Sequence, residues 1–554
     1  MDIRKIITDS IRKAITVYRD LPSQIVPTLD IPQKAAFGDF STNVAMVIAS
    51  HTGLKPKDVA VNIKAGLEIP QEICYKVTVA GAGFINFYLS SETLHSALKD
   101  ILLQSRDYGK NCTGGGKKIL IEFVSANPTG PLTIAHARQA AVGDVLSNLF
   151  SACGFLVEKE YYLNDRGRQM RLLAESTRAR YLELVGIPSA FPEDGYKGEY
   201  VKDIARSIEK EAGDKYKNVP ENNALDFFRE YAQRKILDII KKDLADFGVV
   251  FTSWVSETEL VNSGIVNKIK DVLEHKGYAY PKDGAWWFKS TVFGDDKDRV
   301  LVKSNGDMTY LLPDIAYHES KYKKGFQPLI NIWGPDHHGY IPRLKAGVAA
   351  LGHSASDLQI IIVQLTTLYR KGEQVSMSTR AGEFVSLRDL LCEVGRDASR
   401  YFLVMRKPEA HLDFDLDVAK KETNDNPVYY IQYAHARISS VLAKYKETAG
   451  DQIVAIDSGK IDLGLLAEPE ELALIKYLMR YPDIVYDAAF MKSPHFLTDY
   501  LETLVAKFHN YYEKHRIIND DGALTRARIA LIQAVQIVLR NGLTILGVDS
   551  PERM

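Results

Sequence analysis

Cysteine is scarce: Cys74, Cys112, Cys153 and Cys392 are the only four in 554 residues, and no two form a C-x-x-C pair. That scarcity argues against a disulfide framework and a cysteine zinc site, and it suits a reducing compartment. An excess of one charge is also missing. With 70 Lys and Arg against 71 Asp and Glu, the formal net charge is −1. This excludes a globally basic nucleic-acid coat and an acidic disordered chain, while leaving room for a local basic groove. No run of about 18 apolar residues occurs; the best stretch, from Ala530 to Val548, is broken by Gln533, Gln536, Arg540 and Asn541. The N-terminus has no apolar signal core: its isoleucines recur at helical spacing among charges, and Asp2 and Asp9 are foreign to a transit peptide. A cytoplasmic protein without a membrane segment is expected. Fixed-period repeats and low-complexity tracts are absent as well.

What is present is enough apolar material, 46% of the residues, to build several cores at roughly 150 residues per domain. Residues 1–108 predict an α+β domain: an amphipathic opening helix, the turn-rich Phe37-Gly-Asp-Phe-Ser-Thr-Asn43, and a strand after Gly81-Ala-Gly83. The glycine-rich stretch from Gly109 to Gly116 reads as a linker. A strand from Lys118 to Val124, a loop from Ser125 to Pro131, a helix from Thr133 to Gly154 and a strand from Leu156 to Tyr162 then form a βαβ unit. Such a unit predicts a Rossmann-type, doubly wound parallel sheet over 117–415. Residues 167–290 are charged and helical, too long for a crossover, and are expected to be an insertion. Strand-like runs resume at Arg299-Val-Leu-Val-Lys303, Leu329-Ile-Asn-Ile-Trp-Gly334 and Gln359-Ile-Ile-Ile-Val-Gln364. From 416 to 554 the pattern predicts an all-α domain.

Two polar loops stand out. The first joins Glu122 to a helix that begins near Thr133 and carries His136 in its first turn. A helix start after a parallel strand offers free N–H groups and a positive dipole end to an anion. The same residues equally fit an ordinary strand–loop–helix with a surface histidine. The second loop, about 240 residues on, holds Ser376, Ser378, Thr379 and Arg380. Hydroxyls with a guanidinium suit a triphosphate, although such a loop alone reads as plain surface.

Longer strings carry a resemblance. Ala126, Asn127, Pro128, Thr129, Gly130, Pro131, Leu132, Thr133, Ile134, Ala135 and His136 resemble the long HIGH signature of the arginyl-tRNA synthetases, a family of class I aminoacyl-tRNA synthetases. Met377-Ser378 and Arg380-Ala-Gly382 resemble its KMSKS loop. Phe37–Asn43 and Ala82-Gly-Phe-Ile-Asn-Phe87 are similar to its N-terminal domain. Asn426-Pro-Val-Tyr-Tyr-Ile-Gln-Tyr-Ala-His-Ala-Arg437 and the closing Leu546–Met554 are similar to its helical anticodon-binding domain. The match departs at four places: Thr133 and Ala135 replace the first His and the Gly of HIGH, and Ser376 and Thr379 replace both lysines of KMSKS. Losing two cations removes charge stabilisation from the transition state; Arg380, Lys371 and Arg370 are the nearby cations to supply it.

The resemblance implies roles. His136, Thr133 and Arg380 would be catalytic. Gly130, Ala135, His136, Met377, Ser378, Thr379 and Arg380 would hold ATP. Glu122, Asn127, Tyr310, Asp314 and His337 would hold arginine, with Asp314 forming a bidentate pair to the guanidinium and Tyr310 beside it. From the residues alone, Asp314 also reads as a cap before a helix starting at Ile315. Tyr430, Tyr433, Arg437 and Tyr512 would meet tRNA by stacking with a cation alongside, although each tyrosine alone also reads as helix packing. Asp336, His337 and His338 do not read as a metal site, because adjacent residues rarely converge on one ion. The implied partners are ATP with Mg²⁺, L-arginine and tRNA(Arg), with no structural metal and no membrane; a monomer is expected. The implied reaction forms arginyl-adenylate and then transfers arginine to tRNA. A non-catalytic tRNA-binding relative is the rival that the altered motifs suggest. A synthetase for a neutral amino acid is disfavoured, because it would leave Glu122 and Asp314 unmatched. Thr379→Lys is expected to leave arginine-dependent ATP–pyrophosphate exchange in place; loss of exchange would mean that the loop differs from the form the resemblance implies.

Overall fold

The computed structural model describes residues 3–18, 25–32, 34–375, 385–449 and 461–554. Helix Ile3–Ile15 buries Ile3, Ile7, Ile11, Ala14 and Ile15, a stripe at three- and four-residue spacing that fixes it against the N-terminal core. Beside it lies a three-stranded antiparallel sheet in the spatial order Phe40–Thr42, Phe84–Leu89, Cys74–Ala80.

The central sheet comprises β1 (Lys118–Glu122), β2 (Leu156–Leu163), β3 (Ser253–Ser256), β4 (Leu329–Trp333) and β5 (Leu358–Ile362). All pairings are parallel and the spatial order is β5-β4-β1-β2-β3. The chain winds from β1 to one edge, returns, and adds β4 on the other flank of β1. Crossovers therefore leave β1 and β4 in opposite directions, opening a crevice beyond their C-terminal ends, where such sheets bind ligands. Helix Ile134–Ala152 makes the first crossover. Its Gly143 permits close approach, since a Cβ there would overlap the Phe123 ring.

Two expectations need correction. The stretch 167–290 contains β3, so helices Arg168–Leu184, Glu199–Ala212 and Glu221–Asp246 form the β2-to-β3 crossover. The four residues Ser-Trp-Val-Ser of β3 are all half-buried, and a short edge strand lacks the apolar run that marks its neighbours. The run at Arg299–Val302 does not join the central sheet; it pairs antiparallel with Ala285–Phe288, which pairs with Ala279–Lys282. A four-residue apolar run has no feature that names its partner.

The C-terminal region is a bundle of Pro427–Ala449, Pro469–Leu478, Tyr481–Phe490, His495–Lys514 and Gly522–Leu546. The last helix has 25 residues and is long and apolar enough to cross a membrane by length and composition, yet 72% of its most apolar window is buried in the protein. It is the core helix of the bundle: Arg528 donates to buried Glu471 at 2.8 Å and Gln536 donates to Ser439 at 2.7 Å.

Arg400, fully buried, joins the parallel-sheet and helical parts. It donates from Nε to the Leu546 carbonyl (2.8 Å) and from Nη1 to the Phe247 carbonyl (3.1 Å), and it pairs through Nη2 with Asp144 (2.5 Å). Gly547 ends the last helix at φ 68°, and a Cβ there would collide with the guanidinium. Asp144 also pairs with Lys159 at 2.6 Å. Arg400→Met strips one cation from a buried carboxylate and two helix ends of their shared donor. It is expected to lower stability by about 3 kcal/mol or more in urea unfolding; a loss under about 1 kcal/mol would show that Lys159 alone satisfies Asp144.

Candidate active site

β1 ends at Glu122, and the loop after it departs from ordinary backbone. Val124 (φ 68°) and Ser125 (φ 39°) are both left-handed non-glycine residues, a conformation that persists only where surroundings enforce it. Here they do. The Ser125 hydroxyl donates to Glu122 Oε1 at 3.0 Å and accepts the Tyr162 N–H at 3.2 Å. The Tyr161 hydroxyl donates to the Ala126 carbonyl at 3.0 Å.

The loop delivers Thr133 as the N-cap of helix Ile134–Ala152. His136 Nδ1 accepts the Thr133 backbone N–H at 3.1 Å, which assigns the ring proton to Nε2. Burial lowers the His136 pKa to about 4, so at neutral pH the ring is an uncharged donor at a helix start. Ala126, Asn127, Gly130, Pro131, Thr133 and His136 line one wall of a cleft of about 840 Å³. The opposite wall comes from the long crossover, with Arg168, Gln169, Lys197 and Tyr200. Gln169 Oε1 accepts from Asn127 Nδ2 at 2.6 Å, and the Tyr200 hydroxyl donates to the Thr129 carbonyl at 2.8 Å. Gly130 is required by this approach, because a Cβ there would lie 2.9 Å from the Tyr200 oxygen. Within the same motif Pro128, Leu132 and Ile134 are buried and Ala135 is half-buried.

The segment that follows the second sequence loop meets the first loop. Ser386 bridges Thr133, and the Leu387 N–H donates to the Leu132 carbonyl at 2.7 Å. Met377, Ser378, Thr379 and Arg380 lie outside the described residues. Of the two cations just before that stretch, Arg370 is engaged with Glu393 at 2.6 Å.

Beneath the crevice, sheet register sets a polar row. Asn331 of β4, Glu122 of β1, Glu160 of β2 and Ser253 of β3 are successive cross-strand partners, so their side chains share one face. Helix Leu311–Lys323 covers that face. Lys321, without solvent exposure, places Nζ 2.6 Å from Glu122 and 3.5 Å from Glu160. Tyr317 donates to Glu160 at 2.6 Å. His318 joins Asn331 at 2.9 Å and the Asp314 carbonyl at 2.8 Å, and burial drives its pKa down to about 3. Asp314, in the first turn of this helix, accepts the Tyr340 hydroxyl at 2.7 Å. Burial is the main cause lifting its pKa to about 7; the Tyr340 bond opposes this, Glu122 and Glu257 reinforce it, and Lys321 opposes it.

The expected arginine residues thus divide. Glu122 acts electrostatically on Asp314, but Glu122 already has an internal cation in Lys321. The helix begins at Leu311, not Ile315, so Asp314 lies within it and does not cap it. Tyr310 is 69% exposed, just ahead of the helix and facing out; Tyr340, at the end of the turn Pro335–Tyr340 that follows β4, reaches the carboxylate instead. His337 is exposed on the turn Pro335–Tyr340, 3.3 Å from Asp336. Asp336 acts electrostatically on His136, so this turn does flank the crevice.

Sequence reasoning missed Glu257. It begins the short helix after β3 and is only 8% exposed. It accepts from Tyr162, and burial raises its pKa. Its signal was a carboxylate at a strand's C-terminal end, invisible until β3 is known to be a strand.

In the helical bundle, Tyr430, Tyr433, Arg437 and Tyr512 form one cluster. Arg437 donates to the Tyr433 hydroxyl at 2.6 Å and lies 4.8 Å and 5.2 Å from the Tyr433 and Tyr512 ring centres. His509 sits 4.9 Å from Tyr430. The cluster is half-buried.

A five-stranded parallel sheet with a histidine-bearing helix start at its switch point and a helical bundle behind it is the plan of a class I aminoacyl-tRNA synthetase. Residues 97–438 match the family of tRNA synthetases class I (R), catalytic domain. Residues 1–89 match the arginyl tRNA synthetase N terminal domain, and residues 431–554 the DALR anticodon binding domain. The chain is 46% identical to the arginine–tRNA ligase of Geobacillus kaustophilus, over 98% of this chain and 97% of the relative. It is 47% identical to that of Syntrophotalea carbinolica, over 97% of each. The Thermus thermophilus arginyl-tRNA synthetase structure superposes with a TM-score of 0.76, covering 100% of both chains at 22% identity, a likeness of fold. The chain belongs to the arginine–tRNA ligase family.

The Asp314 environment sets a pH dependence. A cation pairs with the ionised carboxylate, so below its pKa of about 7 the proton must first leave. Arginine affinity is expected to rise about tenfold from pH 6 to pH 8 and to level off above that. Calorimetry in two buffers of different ionisation enthalpy would detect the released proton. A dissociation constant flat across that range would separate Asp314 from the bound cation.

Proposed function

We propose that this chain is an arginine–tRNA ligase: with ATP it activates L-arginine to arginyl-adenylate, then transfers the arginyl group to the 3′ end of tRNA(Arg). One observation carries the reading. A neutral-histidine helix start and a carboxylate cluster holding more negative charge than its single lysine balances lie together at the switch point. The first suits the phosphates of ATP and the second suits a guanidinium.

Asp314 and Glu257 pair with the planar guanidinium, whose fixed fork of donors favours carboxylates over the neutral partners a citrulline would need. Asn127, held by Gln169, meets the α-carboxylate region, and His337 borders the pocket from the turn after β4. The arginine carboxylate then attacks the α-phosphorus of ATP, and pyrophosphate leaves. The protein contributes positioning and charge stabilisation. The helix start at Thr133 and the Nε2–H of His136 donate to phosphate oxygens, Gly130 and Ala135 allow the nucleotide close, and Met377, Ser378, Thr379 and Arg380 approach the triphosphate. Mg²⁺ accompanies ATP as part of the substrate. In the second step the terminal 2′-hydroxyl of tRNA attacks the adenylate carbonyl, the acyl–phosphate bond breaks and AMP leaves. Tyr430, Tyr433, Arg437 and Tyr512 serve as a stacking platform for unpaired anticodon bases. The protein works as a cytoplasmic monomer.

The lysines missing at Ser376 and Thr379 favour a second reading, a tRNA-binding relative that does not activate arginine. Arginine-dependent ATP–pyrophosphate exchange, run with and without tRNA, decides between them: no exchange in either condition selects the second. In an active enzyme Asp314→Asn is expected to raise the arginine KM by at least about tenfold, the scale of one charge-assisted pair; an unchanged KM would remove Asp314 from the pocket.

A further inference from the structure

Glu122 and Glu160 are direct cross-strand partners, 5% and 1% exposed. Like charges placed so on adjacent strands, away from water, demand a cation. Lys321 touches both and is itself wholly buried. Its ammonium also lies 3.8 Å from the centre of the Tyr317 ring, whose hydroxyl holds Glu160. Nothing in the two-step reaction uses this lysine, yet it stands on the same helix as Asp314, two turns on, and acts on the Asp314 carboxylate.

We propose that Lys321 is a positioning residue for arginine selection: it occupies the cation subsite between Glu122 and Glu160, so that the substrate guanidinium is held one layer higher, by Asp314 and Glu257. The inference rests on the arginine pocket described above. Without the ammonium, two buried carboxylates below Asp314 would compete for the guanidinium and draw it off the register that presents the α-carboxylate to ATP. The groups facing Asp314 are Glu122, Glu257, Lys321, Tyr340 and Tyr162. Of these Lys321 is the cation, so its removal also leaves Asp314 harder to ionise.

The test is steady-state exchange with full-length enzyme, comparing the wild type, Lys321→Met, and Lys321→Met with Glu160→Gln. The double variant restores the net charge of −1 that Glu122, Glu160 and Lys321 carry together, while glutamine still accepts from Tyr317. Lys321→Met is expected to raise the arginine KM at least about tenfold, with kcat changing less. The midpoint of its pH–affinity curve is expected to move up by about half a unit or more, and the double variant to return KM to within about threefold of wild type. A lysine that only supports the fold would lower Tm and leave KM and the pH midpoint unmoved; that result in a folded Lys321→Met overturns the proposal. Should Lys321→Met fail to fold, Lys321→Gln, which keeps a donor for Glu122 without the charge, takes its place: a KM raised about tenfold with the pH midpoint moved up supports the proposal, and an unmoved KM and midpoint overturn it. Wild-type enzyme that shows no arginine dependence would sink the arginine reading itself, a result distinct from a wild type that works and variants that behave like it.

Discussion

Buried like charge organises this molecule. Glu122 and Glu160 face one another across the first two strands of the sheet, where desolvation makes each carboxylate expensive unless matched. That need fixes where helix Leu311–Lys323 must lie, since only there do Lys321 and Tyr317 reach both acids. Once the helix is fixed, Asp314 is carried to the crevice beyond β1 and β4, and His318 ties its carbonyl to Asn331 of the same polar row. One lysine cannot balance Glu122, Glu160, Asp314 and Glu257. Arg166 acts on Glu257 as well, and the negative charge still left over is what the proposed arginine site would draw on.

The proposed phosphate site is built by opposite means. The helix start at Thr133 presents backbone donors, and its histidine stays neutral because burial disfavours the charged ring. Charge that an ATP site would draw from lysines therefore has to come from elsewhere in the cleft, and Arg370 is already neutralised by Glu393. Two half-sites of opposite preference thus sit on either side of β1: carboxylates under the helix from β4's side, and donors at the helix that leaves β1.

What was legible in the sequence followed from local chemistry. The strand at 118–122, the polar loop and the helix behind it announce themselves through an apolar run, a Gly-Pro break and 3.6-residue periodicity, and the structure places them within two residues of expectation. Strand β3 escaped because an edge strand of four half-buried residues has no such signature. Glu257 escaped with it, since its meaning depends on following that strand. The Glu122–Lys321 pair spans 199 residues, and no local pattern foretells which buried acid takes an internal cation. The resemblance places Tyr310 beside Asp314, but Tyr310 is exposed just ahead of the helix, and Tyr340 arrives at the carboxylate from another element. Sequence showed which chemistry was available; register and topology decided which groups share it.

Helix Ile134–Ala152 also explains how a distant bundle stays in register with the site. Arg138, buried and two residues past His136, donates to the carbonyls of Gln364, Lys407 and Ala410, pinning the segments that flank the second loop. Asp144, eight residues past His136 and so about 12 Å along the axis, holds Arg400, which in turn holds the end of the last bundle helix. One helix therefore bears the phosphate-facing end, the anchor of the second loop and the anchor of the C-terminal bundle. Because α-helices are stiff over this length, a displacement of Leu546 relative to His136 would have to break a buried ion pair or bend the helix. The Tyr433–Arg437 cluster and the cleft are thus linked through Asp144, Arg400 and Leu546, a connection that does not run through the linker glycines at 114–116.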